Sequence, residues 1–244
     1  VNSCDIMKKM LIGELKIMSI SYGELCTEVY DLSKPLGHSF GDIEFYSERL
    51  SDVEGKVLEP GCGSGRVLIP LLQSGIDIEG LDHSKAMLDS CRTRCEALNL
   101  NPQLYEDQMH AFTLPHKYDA IIIPAGSFQL VESREQAIAA LNRFFSYLNP
   151  GGRLILDLFI PTDFSINSNS TKTWNTSNNE IIILEEKQIE VNLMEQKIVN
   201  LLKYEKWKSG KLLQTELQML PIRWYGNFEF ELMLEKAGFK EIIK

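Results

Sequence analysis

The sequence predicts an α/β protein with a doubly wound, mostly parallel sheet and an antiparallel β insert. Three observations support this prediction: residues 57–159 alternate apolar runs with helical segments, the first run ends in a glycine-rich loop, and residues 181–223 alternate apolar and polar positions. Buried parallel strands are nearly continuous apolar runs, whereas a period of two indicates antiparallel strands with one solvated face. The first region therefore predicts the core and the second region the insert.

The composition narrows the class of protein. The chain has 244 residues, 44% of them hydrophobic and 24% charged, as expected for one large globular domain or a domain with an insertion. Its 25 Lys and Arg against 34 Asp and Glu give a net charge of −9. This charge repels polyanions, so neither nucleic acid nor an anionic membrane is expected as a partner. No apolar run approaches the roughly 20 residues of a membrane span.

The cysteines indicate neither a metal site nor an oxidising compartment. There are five, an odd number, and none are in C-x-x-C spacing. Cys91 and Cys95 lie four apart on a predicted helix, but no second pair of ligands accompanies them, so we expect no zinc site. Reduced thiols suit a cytoplasmic location.

A glycine-rich loop, V-L-E-P-G-C-G-S-G-R over residues 57–66, is the centre of the predicted core. Glycine permits positive φ and close approach of a ligand, and the helix that follows offers free N–H groups. The glycines occupy alternate positions, Gly61, Gly63 and Gly65. In a dinucleotide-binding fingerprint, G-x-G-x-x-G, the third glycine comes one position later, so this spacing disfavours a nicotinamide cofactor. Glu59 would repel a phosphate and suits a positively charged ligand. A glycine-rich turn of another α/β protein is the alternative.

The rest of the core alternates strands and helices. Each apolar run is short and ends at turn or capping residues, as in βαβ units. The predicted order is a helix over 66–73, a strand over 76–81, a helix over 84–97, strands over 103–106 and 117–123, a helix over 134–148 and a strand over 153–159.

The composition changes after the fifth strand. Residues 165–179 are rich in Ser, Asn and Thr and predict a flexible loop or lid. Three antiparallel strands should follow, joined in part by a turn at 208–211. These strands are predicted over 181–191, 197–208 and 211–223, and they precede a helix over 228–237, capped by Gly238, and a sixth strand over 239–243.

Four segments result from this order of elements. Helical spacing of apolar residues between Tyr22 and Leu32 predicts a helix before the core. We expect a helical cap over 1–50, an α/β core over 51–164, the β insert over 165–224, and the last helix and strand of the core over 225–244.

The E-x-G-x-G-x-G pattern of residues 59–65 resembles motif I of the class I S-adenosylmethionine-dependent methyltransferases. The resemblance extends over most of residues 22–243 and is to the small-molecule type with a β insert after strand 5. It implies a Rossmann-like methyltransferase fold, S-adenosyl-L-methionine as cofactor and S-adenosyl-L-homocysteine as product. The insert would form a wall over the acceptor site. The seventh strand of that fold is absent, so we expect a missing C-terminal segment.

Candidate cofactor residues come from position and from the resemblance. Asp82 lies 21 positions after Gly61 and ends the second strand, where an acid accepts hydrogen bonds from ribose; the alternative is a role at the helix N-terminus. In the family that this chain resembles, an acid contacts adenine. Gln108 occupies that position here, and the acid Asp107 lies one position earlier. The resemblance also implies a Tyr-rich helix over the cofactor. The predicted cofactor set is Tyr22, Tyr30, Glu59, Gly61, Cys62, Gly63, Gly65, Asp82, His83, Met87, Asp107, Gln108, Met109, Ala125 and Gly126.

Asp157 is the first candidate for catalysis. It is the one polar residue in the apolar run of the predicted fifth strand, and a buried carboxylate costs free energy unless it is paired or hydrogen-bonded. It would either fasten the following loop or face the substrate and orient a cationic amine. Asp157, Tyr30 and His110 are the predicted catalytic residues, since an amine acceptor must lose a proton. Tyrosines are also common packing residues, which is the alternative for several of these positions. The predicted substrate-binding set is Tyr46, Ser127, Phe128, Asp157, Arg223 and Tyr225.

The predicted function is transfer of a methyl group to a nucleophilic N (or O) of a small molecule or short peptide by in-line displacement. Such a reaction depends mainly on alignment and exclusion of water. No metal ion is expected. Two alternatives are a non-catalytic S-adenosylmethionine-binding sensor or partner subunit, and a nicotinamide-dependent oxidoreductase, which the glycine spacing and Glu59 oppose.

Overall fold

The computed structural model describes residues 22–244, and the part of the predicted cap before Tyr22 lies outside them. Within residues 22–244, two helices precede the sheet, α1 (Glu24–Ser33) and α2 (Asp42–Arg49). Leu25 and Val29 are buried residues of α1. Both helices lie in the segment over 1–50 for which the sequence predicts a helical cap, and the bounds of that segment stay a prediction.

A five-stranded parallel sheet follows, in the order β3-β2-β1-β4-β5. Every neighbouring pair of its strands is parallel, and the fold class predicted from the sequence is confirmed. Its strands are β1 (Val57–Pro60), β2 (Ile78–Asp82), β3 (Leu104–Glu106), β4 (Tyr118–Ile123) and β5 (Leu148–Leu156).

Helices cover both faces of this sheet, since β4 is buried on both sides. Ile121 and Ile123 belong to one apolar cluster, whereas Ala120 and Ile122 belong to another. Full burial of one such isoleucine stabilises the fold by about 1.5–3 kcal/mol. The helices of the core are α3 (Leu68–Gln73), α4 (Lys85–Ala97), α5 (Arg134–Tyr147) and α6 (Asn227–Ala237).

The first core helix begins later than predicted, at Leu68 and not at residue 66. Gly61, Gly63 and Gly65 have φ angles of 79°, 55° and 84°, so the chain makes left-handed turns before it becomes helical. These angles are strained for residues with a Cβ, which explains the three glycines. The predicted start of α4 is correct, since the Ser84 hydroxyl accepts a hydrogen bond from Met87 N at 3.2 Å.

The insert has four antiparallel strands, one more than predicted. Residues 169–175, predicted as part of a loop or lid, pair with the neighbouring strand along their whole length. This edge strand is polar because most of its side chains face solvent, and a polar edge lacks the apolar alternation on which the prediction depended. The strands are β6 (Asn169–Asn175), β7 (Glu180–Asn192), β8 (Lys197–Lys208) and β9 (Lys211–Arg223).

The predicted sixth strand over residues 239–243 is wrong. Gly238 ends α6 with a φ of 106°, and Phe239 N then donates to Leu234 O at 3.1 Å, which closes the helix. The Phe239 ring packs against Phe145 at 5.3 Å, and Ile243 is 91% exposed. The segment therefore caps a helix and pairs with no strand of the described chain. Within residues 22–244, no helix combines the length and apolar character needed to cross a membrane.

A buried carboxylate joins four elements near the amino ends of the strands. Glu79 is 2% exposed and accepts hydrogen bonds from the hydroxyls of Tyr118, at 2.9 Å, and Tyr105, at 3.2 Å. Lys56 Nζ lies 3.1 Å and His116 Nε2 3.0 Å from its oxygens. Burial alone would raise the pKa of Glu79, but the bonds from Lys56, Tyr118 and His116 together hold the pKa below its ordinary value. Glu79 is therefore ionised at neutral pH, and it holds the surrounding strands together through its hydrogen bonds.

Candidate functional site

A cavity of about 260 Å³ opens where β1, β2 and β4 end, at the edge where open α/β sheets bind ligands. The core, the helical cap and the insert all contribute to its wall. The lining residues are Tyr22, Tyr30, Gly61, Gly63, Asp82, His83, Met87, Gln108, Met109, His110, Ser127, Leu130, Val131, Glu132, Gln136, Leu220 and Pro221.

Bare backbone forms one wall of this cavity. A Cβ added to Gly61 would lie 2.5 Å from Met109 Cε and 3.0 Å from Ser127 Cβ, so the position tolerates no side chain. Gly63 also lines the cavity, and its added Cβ would have only Met87 Sδ within 4 Å, at 3.8 Å. The loop therefore offers peptide groups to a ligand at close range.

Asp82 fixes this loop. Its Oδ2 accepts a hydrogen bond from Gly63 N at 2.9 Å, and its Oδ1 accepts one from Ser84 N at 2.8 Å. The bond to Ser84 N places the carboxylate at the N-terminus of α4, which is the alternative role predicted for Asp82. Asp82 also lines the cavity, which is the position that ribose binding requires. Burial raises the pKa of Asp82, against the lowering effect of the Ser84 and Gly63 N–H groups and of His83.

Glu59 lies behind the loop and does not line the cavity. It is 3% exposed, and within residues 22–244 its Oε2 has no hydrogen-bond partner. Burial raises its pKa well above the ordinary value, although the Arg66 guanidinium opposes this shift. Arg66 itself pairs with Asp42 through a two-pronged contact, with Nη1 3.0 Å from Oδ1. A buried polar oxygen without a partner is costly, so Glu59 is held at an energetic cost beside the cavity and outside its wall.

Two tyrosines of the cap cover the cavity. The Tyr22 carbonyl accepts a hydrogen bond from the Ser84 hydroxyl at 2.6 Å, and its ring lies edge-on to His83 at 6.4 Å. Lys34 Nζ sits 4.3 Å from the centre of the Tyr30 ring. Burial raises the pKa of both tyrosines, and for Tyr30 this outweighs the lowering effect of Arg66. Tyr30 therefore suits a hydrogen-bond donor better than the predicted catalytic base.

The cavity wall also contains residues that the sequence did not predict. Three of them, Leu130, Val131 and Glu132, lie within five positions of the predicted site residue Ser127. This short distance along the chain was the available sign that they belong to the site. Nothing in the sequence brings Leu220 and Pro221 of β9 to this wall, because their contact with the core is long-range.

His110 and Gln136 form a polar pair in this wall. Their Nε2 atoms are 3.4 Å apart, so the Gln136 amide donates to His110 Nε2 when the imidazole carries its proton on Nδ1. In that arrangement the one acceptor nitrogen of the ring is already occupied. His110 would have to part from Gln136 to act as the predicted base.

Several predicted substrate residues are buried away from the cavity. The rings of Phe128 and Tyr225 pack 5.7 Å apart in the core and are 0% and 2% exposed. Arg223 donates from Nε to the carbonyl of Glu132 at 3.0 Å, which fixes the cavity wall from behind. Tyr46 is fully buried, and its pKa is raised by burial and by Asp157. These four side chains support the site and do not face it.

Some predicted cofactor residues also have packing roles. An added Cβ at Gly65 would meet Cys91 Sγ at 2.7 Å, and one at Gly126 would meet Phe159 at the same distance. The Asp107 carboxylate accepts a hydrogen bond from Gln108 N at 2.8 Å, and Gln108 lines the cavity in its place. The predicted cofactor residues outside the cavity wall are Glu59, Cys62, Gly65, Asp107, Ala125 and Gly126.

Asp157 follows β5 and fastens the turn after β4. Its Oδ2 accepts a hydrogen bond from Ala125 N at 3.0 Å, and Ala125 has the left-handed φ of 56°. Asp157 does not line the cavity, so the geometry matches the loop-fastening role and not contact with a substrate.

We expect Asp157→Ala to destabilise the protein by about 1–2 kcal/mol, because a hydrogen bond to a charged group is lost at a strained turn. Urea unfolding would measure this change. The affinity for a ligand of the cavity should stay within about threefold of the wild-type value, since a lost hydrogen bond outside the wall removes no ligand contact. A much larger loss of affinity with unchanged stability would return Asp157 to the binding residues.

The sheet order, the glycine loop and the β insert together define the class I methyltransferase fold. A family model described as a methyltransferase domain matches residues 57–152. This part of the chain is therefore a methyltransferase domain, and the resemblance drawn from the sequence is confirmed.

Similar proteins agree with this classification. The cypemycin N-terminal methyltransferase of Streptomyces sp is 28% identical over 145 residues, which cover 59% of this chain and 58% of that protein. The dTDP-3-amino-3,6-dideoxy-alpha-D-glucopyranose N,N-dimethyltransferase of Streptomyces fradiae is 28% identical over 149 residues, or 59% of this chain and 56% of that protein. The chain thus spans little more than half of the length of these relatives.

The similarity to solved structures covers more of the chain than the methyltransferase domain of residues 57–152 does. The sugar N-methyltransferase KedS8 from Streptoalloteichus sp ATCC 53650 superposes with a TM-score of 0.68 at 16% identity. The superposition covers 82% of this chain and 78% of that chain. It therefore includes elements outside residues 57–152.

Proposed function

We propose that this chain is an S-adenosylmethionine-dependent methyltransferase that acts on a nucleophilic N (or O) of a small molecule or short peptide. The observation that carries the proposal is the cavity itself. Its wall combines a glycine cradle and the buried carboxylate of Asp82 with a histidine, His110, and a further acidic residue, Glu132. The glycines and Asp82 suit a nucleoside, and the other two residues suit an acceptor.

The residues on the nucleoside side of this division fit the cofactor. Asp82 would accept hydrogen bonds from the ribose hydroxyls, and the Gln108 amide would contact adenine as donor and acceptor. Met87 and Met109 offer polarisable surface to the base. The backbone at Gly61 and Gly63 leaves room for the methionine chain. When bound, S-adenosylmethionine supplies a methyl group activated by a sulfonium.

The chain's own contribution to the reaction is mainly alignment. The cap and insert enclose the cavity, which excludes water and holds the acceptor in line. His110 lines the cavity and, once its Nε2 has parted from the Gln136 amide, would take the proton that an amine acceptor loses. Tyr30 would keep its proton and donate a hydrogen bond.

An amine is the favoured acceptor. Glu132 lines the cavity, and its carboxylate has no salt bridge to a cation within residues 22–244. It would attract an ammonium group, while Leu130, Val131 and Leu220 would contact an apolar body. Two similar proteins are named for methylation of a peptide N-terminus and of an amino sugar, which supports this choice.

Calorimetry should detect binding of S-adenosylhomocysteine and none of NADH, because the spacing of Gly61, Gly63 and Gly65 is not that of a diphosphate-binding loop. Binding of NADH alone would overturn the proposal in favour of an oxidoreductase. A mass-shift screen of candidate amines with S-adenosylmethionine would then separate the enzyme from a non-catalytic binding protein. Tight cofactor binding without a gain of methyl mass on any acceptor would favour the sensor or partner subunit.

A further inference from the structure

The N-terminus of α1 is capped by a residue from the far end of the chain. Glu216 of β9 accepts a hydrogen bond from Leu25 N to its Oε2 at 3.0 Å and one from Cys26 N to its Oε1 at 3.3 Å. Gly23, at the N-cap position, has no side chain to do this. The insert thus supplies the carboxylate that the first turn of a helix favours.

Other contacts seat the same helix on the insert. The Tyr204 hydroxyl donates to Cys26 Sγ at 3.2 Å, and Lys206 Nζ lies 2.7 Å from Glu28 Oε2. Leu25 and Val29 belong to the same apolar cluster as Ile182, Leu184 and Leu202 of the insert. The far end of α1 is held to the core instead, through a salt bridge of 2.9 Å between Asp31 and Arg94.

The helix and the strand joined by Glu216 both contribute to the cavity wall. Tyr30 lies on α1 and Tyr22 just before it, whereas Leu220 and Pro221 lie on β9, and all four line the cavity. In the proposed function the two tyrosines cover the cofactor and the β9 residues contact the acceptor. We propose that Glu216 is a positioning residue that holds the two tyrosines over the cofactor and ties their place to that of the acceptor wall. This inference rests on the proposed function.

Gly23 supports the inference independently. Its φ of −79° and ψ of −173° are open to any residue, so its backbone does not require glycine. An added Cβ would lie 2.5 Å from the Glu216 carboxyl carbon and from both of its oxygens. The carboxylate occupies the space of a side chain, and Gly23→Ala would displace it without altering any charge.

Four variants test this role: Glu216→Ala, Glu216→Gln, Gly23→Ala and the double variant Gly23→Ala/Glu216→Ala. Calorimetry with S-adenosylhomocysteine should show about a tenfold loss of affinity for Glu216→Ala, because loss of a cap lowers the fraction of time that α1 is seated. Glu216→Gln, which keeps one acceptor oxygen, should lose less. Gly23→Ala should resemble Glu216→Ala, and the double variant should be no worse than Glu216→Ala alone.

Hydrogen exchange separates positioning from general loss of stability. Amides of residues 24–33 should exchange faster in Glu216→Ala, whereas those of 57–65 should keep the wild-type rate. Glu185→Ala is the matched control, because Glu185 is an exposed carboxylate of the same insert that pairs with Lys203 at 3.6 Å and makes no hydrogen bond to α1 within residues 22–244. It should change neither measurement.

The failures of the two proposals can be told apart. If the wild-type chain does not bind S-adenosylhomocysteine, the proposed function fails and the inference fails with it. If the wild type binds and Glu216→Ala binds equally well, only the positioning role is overturned. Uniformly faster exchange in all parts of Glu216→Ala would also overturn it, and so would additive losses in the double variant.

Discussion

Asp82→Ala should lower the affinity for S-adenosylhomocysteine about 100-fold, because hydrogen bonds to a charged group contribute about 1.5–3 kcal/mol each. The expected loss has two sources. The ribose hydroxyls lose their acceptor, and the glycine loop loses the oxygen that holds Gly63 N at 2.9 Å. Calorimetry at neutral pH would measure this affinity.

Two further variants make the Asp82 result specific. Asp82→Asn keeps one acceptor oxygen and should fall between wild type and Asp82→Ala. Asp89→Ala removes an exposed carboxylate from α4, the helix that follows Asp82. Asp89 pairs there with Lys85 and Arg92, and its loss should leave the affinity within about twofold, because surface ion pairs contribute little. An affinity for Asp82→Ala within threefold of wild type would contradict the assigned role.

Glu79→Ala should destabilise the fold by about 2–4 kcal/mol at pH 7, because the buried Tyr118 hydroxyl loses its acceptor and the bonds from Lys56 and His116 to a charged group are lost as well. Urea unfolding would measure the change. The folded variant should still bind S-adenosylhomocysteine, because Glu79 does not line the cavity.

The effect of Glu79 should depend on pH. The pKa of Glu79 in the folded protein is below its ordinary value of 4.5, so its contribution is fully present above pH 4.5 and is lost as the pH falls through the folded pKa. The difference in stability between wild type and Glu79→Ala should therefore shrink below pH 4.5. A difference that stays constant or grows as the pH falls would be inconsistent with a charged Glu79.

A matched control shares one partner with Glu79. Asp77 also pairs with Lys56, at 3.0 Å, but its side chain is 62% exposed. Asp77→Asn should cost less than about 1 kcal/mol, since exposed ion pairs are weak. A cost as large as that of Glu79→Ala would show that the charge of Lys56, and not the burial of Glu79, decides the result.

The parts of the site that the sequence predicts are those in which neighbours along the chain carry the signal. Gly61, Gly63 and Asp82 have fixed spacing relative to strand ends, and strand ends of a parallel sheet meet at one edge. Met87, His83 and Met109 follow from the same argument together with the resemblance. All six line the cavity.

Long-range packing decides what the sequence does not predict. Leu220, Pro221 and Glu216 reach their places through the fold of the whole insert, and no local pattern marks them. Asp157 is predicted within a buried strand over 153–159, but β5 ends at Leu156, so Asp157 lies just after the strand and is not fully buried. Its partner is a backbone N–H that no pattern reveals. The polar strand β6 was missed because an edge exposed to solvent does not need alternation.

The cavity is assembled from three separate stretches of the polypeptide, and this division has an evolutionary consequence. Exchanges in Leu220 or Pro221 would reshape the pocket for a new acceptor without disturbing Gly61 or Asp82, which lie on different segments. A lineage of such proteins can therefore diversify its chemistry at the insert while the nucleoside end stays under constant selection.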